Sequence, residues 1–174
     1  MRKLFLSILI IILMILIILF VIYVEDNKRV ELILDKCIDG DTAWFILDNE
    51  RVKIRFLGID TPESTNMIEE YGRDASDYTC SILKSANDIY LEYDMNSDKE
   101  DKYGRVLGWV FVDNNNFSEL LLSEGYASVD YIYGDYLYID DLCSAQEKAY
   151  YNKLGIWSIY DDTKYNKNYC MNKK

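Results

Sequence analysis

RVKIRFLGIDTPES, residues 51–64, reads as a hydrophobic strand, yet it carries Arg55 near its middle and Asp60 and Glu63 beyond it, and the chain's only proline, Pro62, closes it. On a strand with alternating faces, Arg55 points the same way as Leu57 and Ile59, toward the side where burial is expected. A half-buried guanidinium calls for an anion. Upstream, VELILDKCI (residues 30–38) and TAWFIL (residues 42–47) have strand composition, and the turns IDGDT and LDNE separate the runs. Short strands punctuated by Asp-Gly and Asp-Asn predict an antiparallel meander.

Downstream the period changes. Over 71–86, Ala75, Thr79, Ile82, Leu83 and Ala86 recur at three- and four-residue intervals, which predicts a helix with one apolar face. Strand composition returns at 89–93 and 106–112. Two further helices are expected at 117–124, ending at Gly125, and at 139–154, ending at Gly155. This order, three strands, a helix, two strands and two helices, predicts an α+β fold, mainly β: a five-stranded OB-fold barrel with three helices.

The N-terminus is of another kind. Residues 4–24 carry no charge, and as a helix they span roughly 32 Å, enough to cross a hydrocarbon core of about 30 Å. The expected organisation is a basic flank at 1–3, a transmembrane anchor at 4–24, a linker at 25–29, a globular domain at 30–158 and a polar, loose tail at 159–174. Arg2 and Lys3 face a flank in which Glu25, Asp26, Lys28 and Arg29 cancel, so the positive-inside rule sends the domain out of the cytoplasm. A cleaved secretory signal is the alternative, although the apolar run is long for one and no A-x-A-like site follows Val24.

Cys37, Cys80, Cys143 and Cys170 show no C-x-x-C spacing, which argues against a zinc ribbon or a redox pair. Disulfides, in any of the possible pairings, and buried thiols are both open. The chain contains no histidine, which removes Ser-His-Asp and Cys-His hydrolysis and most zinc sites. Carboxylate and hard-cation chemistry remain.

Three segments place charge where strands meet turns: Asp39-Gly40-Asp41-Thr42, Arg55 through Glu63, and Asp101-Lys102-Tyr103-Gly104-Arg105. Taken singly they are turns and surface charges. Together they offer the carboxylates Asp41, Asp60 and Glu63 with the guanidinium groups of Arg55 and Arg105. Carboxylates and a backbone carbonyl suit Ca²⁺; paired guanidinium forks suit a phosphate. Such a set is equipped for phosphodiester hydrolysis.

IDGDT, RFLGIDTPE, YGRDAS and DKYGR, followed by LLSEGYASVDYIY and KLGIWS, resemble in this order the staphylococcal (micrococcal) nuclease family over about residues 30–158. The resemblance implies that Asp41, Asp60 and the Thr61 carbonyl ligate Ca²⁺ and that Glu63 is the general base. It implies that Arg55 and Arg105 clamp the scissile phosphate, that Lys102 and Tyr103 touch a neighbouring phosphate, and that Tyr131 and Tyr133 lie beside base and sugar. The implied activity is Ca²⁺-dependent endonucleolytic hydrolysis of DNA and RNA to 5′-hydroxyl and 3′-phosphate ends. No protein partner is implied, and a monomer is expected.

The chain departs from the family's basic character. With 19 Lys and Arg against 30 Asp and Glu the net charge is −11, and residues 64–70 contain no lysine. Weak long-range attraction for a polyanion is therefore expected. Because unliganded cations and clustered carboxylates are costly to hold together, removing Arg55 or Arg105 is expected to cost little stability. A catalytically silent OB-type binding module and a membrane-anchored interaction domain are the alternatives. Tyr136 and Tyr138 are expected to serve packing.

Overall fold

The computed structural model describes residues 7, 10–19, 29–65, 67–160 and 169–172. The chain divides into Met1–Val30 and Glu31–Lys174. In the first unit, residues 10–19 are helical, with exposed apolar side chains. Much of the expected membrane segment at 4–24, and most of the linker, lie outside the described residues. Among the described residues no helix is long and apolar enough to cross a membrane.

The second unit is mixed α+β and mostly sheet. The strands are β1 (Arg29–Glu31), which straddles the division, and β2 (Ile33–Cys37), β3 (Thr42–Leu47), β4 (Glu50–Phe56), β5 (Ile59–Asp60), β6 (Ile89–Glu92), β7 (Val106–Val112), β8 (Asn115–Asn116) and β9 (Ser128–Val129). Its helices are α1 (Gly72–Ser85), α2 (Phe117–Ser123) and α3 (Ile139–Tyr151), with a 3-10 turn at Gly155–Ser158. The main sheet runs β1-β6-β7-β4-β3-β2, with β8 on β7, and β5 pairs separately with β9.

The expected meander is present: β2, β3 and β4 are antiparallel neighbours. Asp48 and Asn49, which join β3 to β4, have φ of 50° and 69°, the left-handed pair that a two-residue hairpin needs and that Asp and Asn tolerate. The parallel pairing of β4 with β7 is long-range and left no local trace.

Two of the five expected strands are each divided in two, and the short β8 and β9 bring the number to nine. The single run over 30–38 changes partners at Leu32, whose N–H donates to the Ile89 carbonyl at 2.8 Å. Before Leu32 it pairs with β6 and after it with β3, so the strand order returns through the chain to its start, the closure an OB-type barrel requires. The run over 51–59 breaks at Gly58, where φ is +77° and a Cβ would meet Leu142 at 2.7 Å. Only glycine serves at that bend. It releases Ile59 and Asp60 from β4 so that they turn onto β9.

The core lies between this sheet and the helices. Phe56 packs against Phe45 and Phe117, with ring centroids 6.5 and 5.3 Å away, and Trp109 is fully buried, its Nε1 donating to Asp94 Oδ2 at 2.9 Å. Tyr138 joins this core edge-on to Trp109 and Phe111, and Tyr136 packs partly buried against it, as expected. The structure closes the cysteine question with bonds Cys37–Cys80 and Cys143–Cys170. The second corrects the expectation of a loose tail: Tyr169–Asn172 is a helical turn held to α3 through Cys170.

Candidate active site

Arg55 stands at the end of β4 and is 8% exposed. Its Nη1 donates to the carbonyls of Phe56 and Ile59 at 3.0 and 2.8 Å, Nη2 to Asp60 Oδ1 at 3.3 Å, and Nε lies 3.1 Å from Asp41 Oδ1. The bend at Gly58 makes this possible by folding Ile59 and Asp60 back over the guanidinium. The expectation that Arg55 is dispensable for stability is thereby corrected, since it anchors two carbonyls and two carboxylates in a buried place.

Asp41, 7% exposed, is the hub. Its Oδ1 accepts from the Thr42 hydroxyl at 2.8 Å, and its Oδ2 from the N–H and hydroxyl of Thr61 at 3.3 and 3.1 Å. With Arg55 Nε, these donors fill the carboxylate's usual acceptor capacity. Turn and strand end are thus tied through side chains. Gly40 permits the approach, because a Cβ there would meet Thr61 Oγ1 at 2.7 Å.

Charge is in surplus here. Burial pushes the Asp60 carboxyl up to about 6; Arg55 opposes the shift, and Asp41, Asp130 and Glu63 add to it. Burial, then repulsion from Asp41, pushes Asp39 to about 6 as well. One guanidinium does not neutralise this set. The donors are all hard oxygens, a chemistry that fits a divalent cation of the Ca²⁺ type; Asp41, Asp60 and the Thr61 carbonyl could hold one if Asp41 released one present donor. Among the described residues no group of three or more His, Cys, Asp or Glu side chains is set out for a metal, so a cation held here would need further ligands from water.

Glu63 is exposed, its N–H donating to Glu69 Oε2 at 3.0 Å and its carbonyl accepting from the Glu69 N–H at 2.9 Å. It is close enough to bear on the Asp60 carboxyl. Gly72 holds this loop against α1, for a Cβ there would collide with the Glu63 carbonyl.

Arg105 is held by Asp101. Its Nε donates to Asp101 Oδ2 at 2.6 Å, while Asp101 Oδ1 accepts the N–H groups of Tyr103 and Arg105 at 2.9 and 3.0 Å. Burial would raise the Asp101 carboxyl, but these donors outweigh it and hold it below the ordinary range. Arg55 pairs with Leu107 across the parallel β4/β7 register, and Arg105 precedes Leu107 by one two-residue repeat. Both guanidinium groups therefore project from one face of that pair. Lys102 and Arg105 flank the exposed Tyr103 ring, 5.0 and 5.7 Å from its centroid.

Tyr131 caps Arg55, with the guanidinium carbon 5.3 Å from the ring centroid, and Asp60 foremost raises its hydroxyl's pKa. Tyr133 stands 81% exposed, and its only part in the site comes from the resemblance. Asp41, Arg55, Asp60, Thr61 and Tyr131 thus meet directly and Glu63 adjoins Asp60, while Lys102, Tyr103 and Arg105 gather around Asp101 and one another.

Sequence reading passed over three positions. Asp39 looked like a turn residue and Asp101 like a hairpin approach. Thr79 was placed on the apolar face of its helix; fully buried, it donates its hydroxyl to the Gly40 carbonyl at 2.6 Å and holds the Asp41 turn to α1. A hydroxyl in an apolar stripe was the available signal, because a buried donor needs an acceptor.

Residues 53–159 match the family described as staphylococcal nuclease homologue, and the chain belongs to that family. Among its relatives, the endonuclease YncB of Bacillus subtilis is 39% identical over 136 residues, covering 76% of this chain and 64% of the relative. The SPbeta prophage-derived endonuclease YokF of the same organism is 38% identical, over 76% of this chain and 45% of its own length. The thermonuclease of Staphylococcus hyicus is 35% identical over 126 residues, 71% of this chain and 73% of the relative. The chain thus spans less than two thirds of the two Bacillus proteins.

Proposed function

We propose that this chain is a Ca²⁺-dependent endonuclease that hydrolyses phosphodiester bonds of DNA and RNA, leaving 5′-hydroxyl and 3′-phosphate ends, and that an N-terminal membrane anchor displays it outside the cytoplasm, with secretion after cleavage as the alternative. The observation that carries the reaction is the meeting of Arg55 with Asp41, Asp60 and Thr61 at one bend. Bound there, Ca²⁺ would supply positive charge against the phosphate oxygens and lower the cost of the clustered carboxylates. Glu63, exposed beside Asp60, orients a water and takes its proton as the water oxygen attacks phosphorus and the P–O5′ bond breaks, the leaving O5′ taking a proton from solvent to become the 5′-hydroxyl. Arg55 and the terminal nitrogens of Arg105 hold the nonbridging oxygens and stabilise the charge that grows on them, which is where such donors act most strongly. Lys102 and Tyr103 bind the adjoining phosphate, and Tyr131 and Tyr133 flank the nucleoside.

The disulfides support the outward location, since such bonds persist in oxidising compartments. The uncharged run at residues 4–24 supports the anchor. We take the protein to act as a monomer, since the residues proposed for the reaction all come from one chain. The test is an assay of the whole chain in detergent with single-stranded DNA and with RNA. Cleavage in Ca²⁺ with 3′-phosphate termini, abolished by chelator, is the expected result. Binding without cleavage under both conditions would favour a silent OB-type module.

A further inference from the structure

Trp44 lies on the face of the meander away from the core. The strand register sets Lys36 opposite Trp44 and Trp44 opposite Lys53, so these side chains stand abreast. Arg51 lies two residues before Lys53 and Arg55 two residues after it, on the same face by strand periodicity. The other face of β3 and β4 carries Ala43, Phe45, Ile54 and Phe56, all at most 1% exposed, so the row Arg51, Lys53, Arg55 faces outward. Exposure rises along it away from the site: Arg55 is buried, Lys53 half-buried and Arg51 exposed.

The guanidinium of Arg51 lies 4.1 Å, and the ammonium of Lys53 5.0 Å, from the centre of the half-buried Trp44 ring. Arg55 is paired with Asp41 and Asp60; beyond it, among the described residues, Asp35 is the carboxylate in an ion pair with the row, accepting from Arg51 Nε at 2.8 Å and lying 2.7 Å from Nη2. In a chain of net charge −11, a line of cations ending at the proposed phosphate clamp, with an aromatic ring at its midpoint, has the wrong sign for its surroundings and the right sign for a polyanion.

Resting on the nuclease reading, we infer that this outer face is a track for single-stranded nucleic acid leading to the phosphate at Arg55, with a base stacked on Trp44 and phosphates on Lys53 and Arg51. The spacing suits it: alternate residues of a strand are about 6.7 Å apart, comparable to one nucleotide of an extended strand. A positive groove with an aromatic platform is what single-strand binding uses. A base reaches the ring by displacing one cation from it, and that cation then moves to the phosphate. Duplex is excluded from this contact, because its bases are already stacked on each other.

The test compares the full chain with Trp44→Leu and Lys53→Gln on two substrates. One is a mononucleotide nitrophenyl diester, too short to extend past Arg55; the other is an oligothymidylate of about ten nucleotides, within the range single-strand sites cover. Trp44→Leu is expected to raise the oligomer KM on the order of tenfold, the effect of losing one stacked base. Lys53→Gln is expected to reduce the salt slope of oligomer affinity by about 0.7, the value of one phosphate contact on a single strand. Neither variant changes kinetics on the diester, which also reports that both fold. An unchanged oligomer KM in Trp44→Leu, or equal losses on both substrates, overturns the track. If the parent chain cleaves neither substrate, the nuclease reading fails instead. Fluorescence then decides the track alone: Trp109 and Trp157 are buried at 0% and 1% exposure, so quenching by the oligomer in chelator reports Trp44, and its absence refutes the contact.

Discussion

Arg55→Ala and Arg105→Ala each lower turnover on nucleic acid by about 10²–10³-fold, the usual cost of removing one preorganised donor to a developing oxyanion. The two variants part company in stability. Arg55 is buried and bonded to Asp41, Asp60 and two carbonyls, so its loss strands buried acceptors and costs about 3–5 kcal/mol, as for other broken buried pairs. Arg105 is 29% exposed at its side chain and held by Asp101, so its loss costs at most about 1 kcal/mol. Turnover at saturating Ca²⁺ together with urea denaturation separates these effects. An Arg105→Ala enzyme with undiminished turnover would remove that residue from the chemistry.

The second large effect is on folding. Cys37–Cys80 closes a loop of 43 residues, and by the chain-entropy relation its removal costs about 4 kcal/mol. It also joins the approach to the Asp39–Asp41 turn to α1, one residue from Thr79, which holds the Gly40 carbonyl. The paired change Cys37→Ser and Cys80→Ser is therefore expected to lower the urea midpoint strongly and to weaken the apparent affinity for Ca²⁺ in activity assays. The bond Cys143–Cys170 closes a loop of 27 residues but ties only the tail to α3. Its removal leaves the Ca²⁺ dependence unchanged. Identical Ca²⁺ curves for both disulfide-free variants would show that the first bond does nothing for the site.

What the sequence disclosed follows the range of each interaction. The hairpin turn at Asp48-Asn49, the apolar face of α1 and the cap at Gly125 are set by neighbours within a few residues, and they stand where periodicity put them. The partner change at Leu32 was hidden, because its cause is the carbonyl of Ile89. The parallel contact of Arg55 with Leu107 was hidden for the same reason. At the site, Arg55 and Asp60 were legible because charge in a strand otherwise built for burial demands a partner, and Asp41, an acid in a turn, was legible only through the resemblance. Asp101 and Asp39 were not, since an acid in a turn has the same local pattern whether it faces solvent or holds an arginine. Thr79 shows the intermediate case: its helical position was evident and its acceptor, far away in sequence, was not.

The central claim is that Asp41, Asp60, Arg55 and Arg105 converge on one phosphodiester and one cation. The most direct measurement is a crystal structure of the chain with Ca²⁺ and a phosphorothioate dinucleotide that resists cleavage. The account predicts Ca²⁺ at about 2.3–2.6 Å from oxygens of Asp41, Asp60 and Thr61, with both guanidinium groups on the same phosphate and Glu63 facing it. Ca²⁺ bound elsewhere, or a phosphate held without Arg105 while that side chain stays on Asp101 alone, would contradict it.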